Sequence, residues 1–333
     1  MLIMARQMVR AELNDNLSRS FAGMVPQEYR DTDQYLNIVQ WNIEWFGAQK
    51  SKDKDKRRVE VVTDILEAFN ADLFVFQEVA GPSADGRYPG VFDLIANELS
   101  SRGAGDYVVY YTKAGGEQRV AMMWDRDFIR SKTDVTDLFP RGFHKTPDGK
   151  DAFAMRTPLH GLFEARVGEA GRFDFQALGV HLKAMEEGMV QRETSAKVLA
   201  DWMTTSRKET DADILILGDW NAPPSAPEWE AIRGLPDVSF EDINDESDFS
   251  YLWLANTTNK FVSRIDLTAM SLASDTRPPE RVGEVVKWTS IQDALARSSG
   301  LKDPQVRSIL KEVKETVSDH LPTVTQFYFK APA

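Results

Sequence analysis

The stretch ILILGDWN, residues 214–221, shows the pattern that decides the fold of this chain. Four apolar residues are followed by Gly218 and then by two polar residues, Asp219 and Asn221. A short run that is apolar throughout and ends at a turn residue is typical of a strand covered on both faces. We therefore expect a buried strand over 214–217, with Asp219 and Asn221 just beyond its carboxyl end.

Similar runs occur along the chain, separated by amphipathic segments. The runs are Leu36–Trp41, Leu73–Phe76, Val120–Trp124, Phe173–Val180, Ile265–Met270 and Val324–Phe329. Apolar residues at helical spacing are Val59, Val62, Leu66 and Phe69, and later Val190, Leu199 and Met203. Strands that alternate with amphipathic helices in this way predict an α/β protein.

The composition limits the chemistry that this chain can perform. It contains no cysteine and carries a formal net charge of −12. The absence of cysteine excludes disulfides, thiolate zinc sites and cysteine nucleophiles, so a metal here needs oxygen or imidazole ligands. The acidic excess argues against a protein held to nucleic acid by bulk charge, but an enzyme that makes a few local phosphate contacts is compatible with it.

The sequence also limits the location that we expect. No apolar run is long enough to span a membrane, and Met1 to Ala5 is too short for the apolar core of a signal peptide. We therefore expect a cytoplasmic protein with no membrane attachment. No feature of the sequence indicates an obligate protein partner.

Polar side chains recur where the predicted strands end. They are Asn42 and Glu44 after the first strand, Glu78 after the second, His181 after the fourth, and Asp219 and Asn221 after the fifth. In α/β folds, side chains from the carboxyl ends of separate strands converge on one ligand site. Each residue alone has an ordinary alternative, such as an Asx-turn, a solvated rim position or a turn after glycine. Their recurrence at strand after strand favours a shared site.

Six short segments stand in a characteristic order. They are QWNIE at 40–44, FQEV at 76–79, VHLK at 180–183, GDWN at 218–221, SRID at 263–266 and SDH at 318–320. This ordered set resembles the motifs of the endonuclease/exonuclease/phosphatase (DNase I-like) superfamily. The resemblance implies a four-layer sandwich, in which two packed mixed β-sheets are flanked by helices, and a hydrolase that acts on phosphate ester bonds.

The motifs also define the domain organisation. Residues 1–33 precede them and are interpreted as an N-terminal extension, whereas residues 34–333 form one catalytic domain, because no Gly/Ser linker or internal repeat divides them. The region at about 271–316 is interpreted as an insertion between the last two motifs, with a helix around Val306–Val313. Whether this insertion shapes specificity or binds a partner stays open.

The resemblance implies a divalent cation, and the residue types suit one. Glu78 is the principal candidate ligand, and Asn42, Glu44 and Asp319 are candidates to complete its site or to form a second one. Carboxylate and amide oxygens prefer hard cations, so we expect Mg²⁺, with Mn²⁺ or Ca²⁺ as alternatives. A metal held there would polarise the phosphoryl group and stabilise the leaving oxygen.

The other motif residues are assigned to the attack on phosphorus. His320 is the candidate acid/base residue, because imidazole titrates near neutral pH and a neighbouring carboxylate raises its pKa. By resemblance, that carboxylate is Asp266. Asp219 would orient or deprotonate the attacking water, and Asn221 and His181 would donate hydrogen bonds to the phosphoryl oxygens.

Three arginines have both functional and structural interpretations. Arg119 stands where the family often has arginine, and there it would organise the site by pairing with a carboxylate. The alternative for Arg119 is an ion pair on an edge strand. Arg156 is a weaker case of the same kind, and Arg192 is expected to be a packing or surface residue.

The sequence narrows the substrate mainly by elimination. It lacks the Tyr-x-Pro-Asn-like segment of abasic-site endonucleases, the Pro-Ala-Trp-x-Asp-Arg segment of inositol polyphosphate phosphatases and the apolar hairpin of sphingomyelinase-type members. We therefore expect a nuclease with DNA or RNA as its substrate. The alternatives are a phosphomonoesterase, a lipid-headgroup or inositol phosphate phosphodiesterase, and a catalytically inactive binding domain.

Local features give this expectation modest support. The basic stretch at 50–58 follows the first motif and could contact a phosphate backbone, although a solvated loop leading into a helix is the more ordinary interpretation. Trp45, Trp220 and Trp253 could stack on bases, although tryptophans near motifs more often belong to a core.

Overall fold

A computed structural model describes residues 35–47, 52–153, 156–166, 171–240, 248–252, 262–272, 280–287 and 289–329. The predicted N-terminal extension at 1–33, Trp253 and the side chains of the basic stretch as far as Arg57 lie outside the described residues. Among the helices of the described ranges, none is both long and apolar enough to cross a membrane.

The described residues form strands and helices in alternation. In chain order the strands are β1 (Tyr35–Phe46), β2 (Leu73–Val79), β3 (Tyr107–Tyr111), β4 (Arg119–Asp125), β5 (Ile129–Ser131), β6 (Thr136–Asp137), β7 (Leu159–Arg166), β8 (Arg172–His181), β9 (Ile214–Asp219), β10 (Val238–Phe240), β11 (Tyr251–Leu252), β12 (Val262–Ser263), β13 (Asp266–Ser271), β14 (Glu280–Val285) and β15 (Thr323–Tyr328). The α-helices are α1 (Lys52–Phe69), α2 (Val91–Ser101), α3 (Met189–Glu209), α4 (Glu230–Arg233), α5 (Thr289–Arg297) and α6 (Pro304–Thr316).

These strands build two mixed sheets. The first has the order β14-β15-β1-β2-β4-β3, and the second has the order β10-β13-β9-β8-β7-β5, with β6 also paired to β7. In each sheet one pair of neighbours, β1 with β2 and β8 with β9, is parallel, and the other pairs are antiparallel. The parallel pairs bring the carboxyl ends of four strands to one edge of the molecule.

Three groups of buried side chains arrange the sheets and helices in four layers. Ile38 and Val75 of the first sheet pack with Phe175 and Leu215 of the second, which fills the space between the sheets. The outer face of the first sheet is covered by α1, α2, α5 and α6. The outer face of the second is covered by α3 and α4. The predicted four-layer sandwich is therefore confirmed.

The seven predicted strands and the predicted helices are present in the structure. Each predicted run corresponds to one of β1, β2, β4, β8, β9, β13 and β15, and the helical spacings fall in α1, α3 and α6. The region interpreted as an insertion contributes to the fold itself, because β14 pairs along the full length of β15. Its two helices also bury Ile291 and Leu310 in the layer outside the first sheet.

Candidate active site

Asn42 links the two sheets at the centre of the candidate site. Its side chain is 1% exposed, and its Nδ2 donates a hydrogen bond to Oδ2 of Asp219 over 2.9 Å. Its side-chain oxygen accepts from the backbone N–H of Glu44, and its carbonyl accepts from the hydroxyl of Ser318 over 2.8 Å. Because β1 and β9 belong to different sheets, these bonds bring the first, fourth and sixth motifs together.

The backbone departs from regular strand geometry at several motif residues. Glu44, Glu78 and Asn221 have φ angles of 20°, 60° and 58°. The pairing of β1 with β2 also shifts register between Asn42 and Phe46. Non-glycine residues adopt positive φ at an energetic cost, and such residues concentrate at functional sites. The strained positions coincide with those that the sequence assigned to metal binding and phosphate contact.

Gly218 explains why the fourth motif begins with glycine. Its φ is 149°, and a Cβ atom added there would lie 2.0 Å from the carbonyl oxygen of Val180. Only glycine therefore allows β9 to lie this close to β8 immediately before Asp219. The close approach places His181 opposite Asp219 in the parallel register of the two strands.

Asp219 is buried among polar partners from three motifs. Its Oδ1 accepts from the backbone N–H of Asn221 over 2.9 Å, in addition to the bond from Asn42. Burial raises the pKa of Asp219 to about 7; the nearby charge of His320 lowers it, and those of Asp266 and Glu78 raise it. A carboxylate with this pKa can accept a proton near neutral pH, as a general base must.

His320 forms a buried pair with Asp266. The Nδ1 atom of the imidazole lies 2.8 Å from Oδ2 of Asp266, and both residues are buried. Burial lowers the pKa of His320, but the charge and hydrogen bond of Asp266 and the charges of Asp219 and Asp319 outweigh it and raise the pKa to about 10. The imidazole is therefore a cation at neutral pH, and its Nε2 lies 3.9 Å from Oδ2 of Asp219 and from Oδ1 of Asp319.

His181 is held in a different state by Arg156. Its Nε2 lies 2.6 Å from a guanidinium nitrogen of Arg156, 3.5 Å from Oδ2 of Asp219 and 3.6 Å from Oε1 of Glu78. Burial, followed by the charge of Arg156, lowers its pKa well below the ordinary value. An arginine can only donate, so Nε2 accepts and the proton of the neutral imidazole is on Nδ1.

Arg156 contacts the candidate site through its guanidinium. Besides His181, its guanidinium donates to the side-chain oxygen of Gln118 over 3.0 Å and to the carbonyl of Leu182. Arg119, which the sequence analysis assigned to site organisation through a carboxylate, instead donates to the backbone carbonyls of Gly116 and Thr112, each over 3.1 Å. These contacts hold the turn before β4, so the weaker of the two sequence candidates has the closer link to the motif residues.

The remaining predicted residues have structural partners. Arg192 is buried, as the packing interpretation expected, and pairs with Glu228 over 2.9 Å. Trp220 is fully buried against Trp229, and its Nε1 donates to the carbonyl of Leu267. Base stacking on Trp220 is therefore excluded.

Comparison with known proteins identifies the fold. No family model matches the chain, and no curated protein matches it. Among solved structures, an endonuclease/exonuclease/phosphatase from Bacteroides vulgatus is 15% identical with a TM-score of 0.60, over 89% of this chain and 99% of that one. D. rerio TDP2 complexed with a single-strand DNA product is 16% identical with a TM-score of 0.55, over 88% and 98%. The human Nocturnin catalytic domain with a bound sulfate anion is 14% identical with a TM-score of 0.54, over 89% and 95%.

The chain has the DNase I-like fold of the endonuclease/exonuclease/phosphatase superfamily. The resemblance that the six motifs carry is thereby confirmed in the three-dimensional structure. The motifs fall at the strand ends of this DNase I-like sandwich, where the parallel pairs β1–β2 and β8–β9 meet.

The DNase I-like fold places more carboxylates than cations at these strand ends. Burial and the charges of Asp319, Asp219, Glu44 and Glu78 all raise the pKa of the Tyr251 phenol, so these carboxylates lie on the same side of the molecule as this residue. An excess of anionic oxygen ligands in a partly buried site fits a hard divalent cation. The group of Asp219, Asp266 and His320 is also compact enough to hold a metal, with ligand atoms within 4.8 Å of one another. Because His320 is already bound to Asp266 and cationic, we favour the carboxylates around Tyr251.

Tyr251 is a site residue that the sequence analysis missed. Its ring centroid lies 4.8 Å from that of His320, at an interplanar angle of 48°, and the two residues form an isolated β-bridge. The ring therefore packs at a tilt against the cationic imidazole, within the distance at which a cation and an aromatic ring attract each other. The only sequence signal was an aromatic residue upstream of the fifth motif, which carries little information by itself.

Proposed function

We propose that this chain is a divalent-metal-dependent phosphodiester hydrolase that cleaves DNA or RNA by attack of an activated water on phosphorus. The observation that carries the proposal is the contact chain from Asn42 through Asp219 to the His320–Asp266 pair, which joins both sheets in one buried cluster. It combines a base that titrates near neutrality with a cationic acid, as hydrolysis of a phosphodiester requires.

The proton roles follow from the two pKa values. Asp219, with a pKa near 7, accepts the proton of the attacking water, while its bonds from Asn42 and Asn221 fix its orientation. His320, with a pKa near 10, arrives protonated and donates its Nε2 proton to the leaving oxygen as the bond between that oxygen and phosphorus breaks. Asp266 holds the imidazole by Nδ1 and keeps that donor in place.

We revise the predicted role of His181 as a hydrogen-bond donor to the phosphoryl oxygens. His181 was predicted to donate, but its Nε2 accepts from Arg156 in this arrangement. We therefore propose that the guanidinium of Arg156 binds the phosphoryl oxygens and that His181 orients this guanidinium. Asn221 keeps its predicted role as a donor to the phosphoryl oxygens. Its Nδ2 carries two hydrogens, and one of them is donated to the carbonyl of Leu182 over 3.0 Å, which orients the amide.

The candidate cation completes the site. Glu78 would hold it, with Asn42, Glu44 and Asp319 as further ligands. Mg²⁺, or Mn²⁺ or Ca²⁺ in its place, would supply Lewis-acid stabilisation of negative charge on the phosphoryl and leaving oxygens. In the absence of that cation, the clustered carboxylates would repel the anionic substrate.

Nucleic acid is the substrate that the relatives and the motifs favour. The solved D. rerio TDP2 structure contains a single-strand DNA product. The sequence lacks the segments that mark abasic-site endonucleases, inositol polyphosphate phosphatases and sphingomyelinase-type members. These points support nucleic acid as the substrate of this chain.

One substrate panel tests the proposal. The full chain is incubated with single-stranded DNA, plasmid DNA, RNA, inositol phosphates and phospholipid vesicles, each with Mg²⁺, Mn²⁺ or EDTA. We expect cleavage of at least one nucleic acid, lost with EDTA and in Asp219→Asn, and kept in Asp201→Asn, which changes an exposed aspartate of α3. Cleavage of lipid or inositol phosphate without cleavage of any nucleic acid would contradict the assignment.

A further inference from the structure

Met185 combines an exposed apolar side chain with a strained backbone. It is 72% exposed, and its φ and ψ angles are 70° and 167°. That region of conformational space is essentially restricted to glycine, and other residues occupy it at a cost that the surrounding structure must offset. Neither property contributes to stability, so both point to a role for this side chain in binding.

A buried ion pair imposes this conformation. One guanidinium nitrogen of Arg192 donates to the carbonyls of Lys183 and Met185, over 2.8 and 2.7 Å. The other two donate to one carboxylate oxygen of Glu228, over 3.1 and 2.9 Å. Arg192 and Glu228 are both buried. A buried ion pair that also donates two hydrogen bonds to backbone carbonyls of a surface loop holds that loop in one conformation.

Two further apolar residues follow Met185 on the same segment. Met189 and Val190, in the first turn of α3, are 46% and 43% exposed. We call Met185, Met189 and Val190 the apolar rim. Exposed large apolar side chains that cluster in this way mark binding surfaces more often than isolated ones do.

The apolar rim lies beside the candidate active site. His181 belongs to the site, and the carbonyl of Leu182 accepts from both Arg156 and Asn221. Met185 is only three residues beyond Leu182, a span of at most about 11 Å of chain. The rim is therefore within reach of a nucleotide whose phosphate occupies the site.

The charges around the rim indicate which part of that molecule it would bind. On the side of the site stands Lys183, an exposed cation close enough to His181 to lower its pKa. Between Met185 and Met189 of the rim stand the exposed residues Glu186 and Glu187. This arrangement, with a cation beside the site and two carboxylates among the apolar residues of the rim, suits one phosphate at the site and one uncharged, polarisable group on the rim. It does not suit a phosphate backbone that continues in that direction.

We infer that the apolar rim binds the nucleobase of the nucleotide next to the cleaved bond, and that the substrate strand runs no further over α3. This inference rests on the proposed function, because it specifies the substrate of that same site. Methionine packs favourably against aromatic rings and adapts to different shapes, which suits a contact that accepts any base. The substrate class is therefore a single-stranded end or loop with an unstacked base rather than a continuous duplex.

The strain at Met185 provides a test that separates binding from folding. Met185→Gly removes the side chain and also relieves the backbone, so we expect a Tm equal to or above that of the unchanged protein. At the same time KM for a single-stranded oligonucleotide should rise about two- to tenfold, the range expected for a lost sulfur–aromatic contact, with kcat little changed. Leu94→Gly, at an exposed apolar residue of α2, is the control and should lower Tm without changing KM.

Substrates without a base complete the test. The same oligonucleotide with an abasic residue on one side of the cleaved bond should show a raised KM with the unchanged protein and no further rise with Met185→Gly. Equal KM values for Met185→Gly and the unchanged protein on the intact oligonucleotide would overturn the inference alone. Weaker binding of Met185→Gly to phospholipid vesicles, with unchanged cleavage of the oligonucleotide, would also overturn the inference, because the rim would then contact lipid. Absence of metal-dependent cleavage by the unchanged protein would overturn the proposed function, and the inference with it.

Discussion

Two aspartates at opposite ends of the strands have the same raised pKa and different surroundings. Asp219 is the last residue of β9, at the carboxyl ends of the parallel strands, and Asp72 precedes β2 at the other end. Burial raises the pKa of each to about 7. Asp72 accepts a hydrogen bond from the backbone N–H of Asn37 over 2.7 Å, and the charge of Asp125 adds to the upward shift.

The two ends show that a carboxylate with a raised pKa does not by itself define an active site. Around Asp219, the amide of Asn42 and the cationic ring of His320 are supplied by other motifs and meet one carboxylate. Around Asp72, a backbone N–H and a second carboxylate are the neighbours that set its pKa. Catalysis needs groups of unlike charge that converge on one reacting atom, and the described surroundings of Asp219 supply them.

Removing each carboxylate in turn is the largest test of this comparison. We expect Asp219→Asn to lower kcat/KM by about a thousandfold, within the range for loss of a general base. Asp72→Asn should leave kcat/KM unchanged, because its amide oxygen can still accept from Asn37. Both variants are measured at pH 8 with Mg²⁺, with circular dichroism as the folding control. A comparable loss in Asp72→Asn with intact folding would mean that the two ends are not functionally distinct.

The pH dependence of the first end gives the next largest effect. His320 acts as the protonated form, so activity should fall as pH rises through its pKa of about 10. Asp266→Asn removes the principal partner that raises this pKa, so the decline should begin at lower pH, and kcat at pH 8 should drop about a hundredfold. The pH–rate profile is checked against the titration of His320 followed by NMR. A profile that stays in place while the NMR titration moves would remove His320 from the role of acid.

The second end should show its raised pKa in stability instead. Below the ordinary value of 3.8 the carboxyl of Asp72 is protonated in both the folded and the unfolded chain. As pH rises towards 7 the unfolded chain ionises first, so the folded state loses up to roughly 4 kcal/mol of relative stability. Asp72→Asn should therefore reduce the fall in unfolding free energy between pH 4 and 8, measured by urea denaturation. Because Asp219 contributes the same dependence, the fall should shrink rather than vanish, and an unchanged slope would argue against a raised pKa at Asp72.

The strands and helices were predictable because their signals are local, whereas the four-layer sandwich was implied by the resemblance of the six motifs. The short, mainly apolar runs of β8 and β9 end at turn or polar residues and are almost entirely buried, as is typical of strands covered on both faces. The predicted strands missed β7, in which buried and half-buried residues alternate and His160 and Glu164 interrupt the apolar pattern. They also missed β14, whose place at a sheet edge depends on pairing with β15, a contact distant in sequence.

The residues of the candidate site that belong to a sequence motif were predictable. Those whose role depends only on a spatial neighbour were not. The motif residues Asn42, Asp219 and His320 are in contact through the hydrogen bonds and charges described above. Tyr251 and Met185 have no such pattern around them. Their roles depend on a ring placed over His320 and on a backbone angle imposed by Arg192, and neither can be read from residue order.

The two arginines give the smallest and sharpest test of what distinguishes the ends. Arg156 places its charge beside His181 and Asp219, whereas Arg119 donates to backbone carbonyls of a turn. Arg156→Lys keeps a cation but cannot reproduce the guanidinium fork, so we expect KM to rise and kcat/KM to fall about tenfold. Arg119→Lys should lower Tm and leave kcat/KM unchanged. A lower kcat/KM of Arg119→Lys with an unchanged Tm would restore the original assignment of Arg119 to the site. Arg119, and not Arg156, would then be the arginine whose charge distinguishes the Asp219 end.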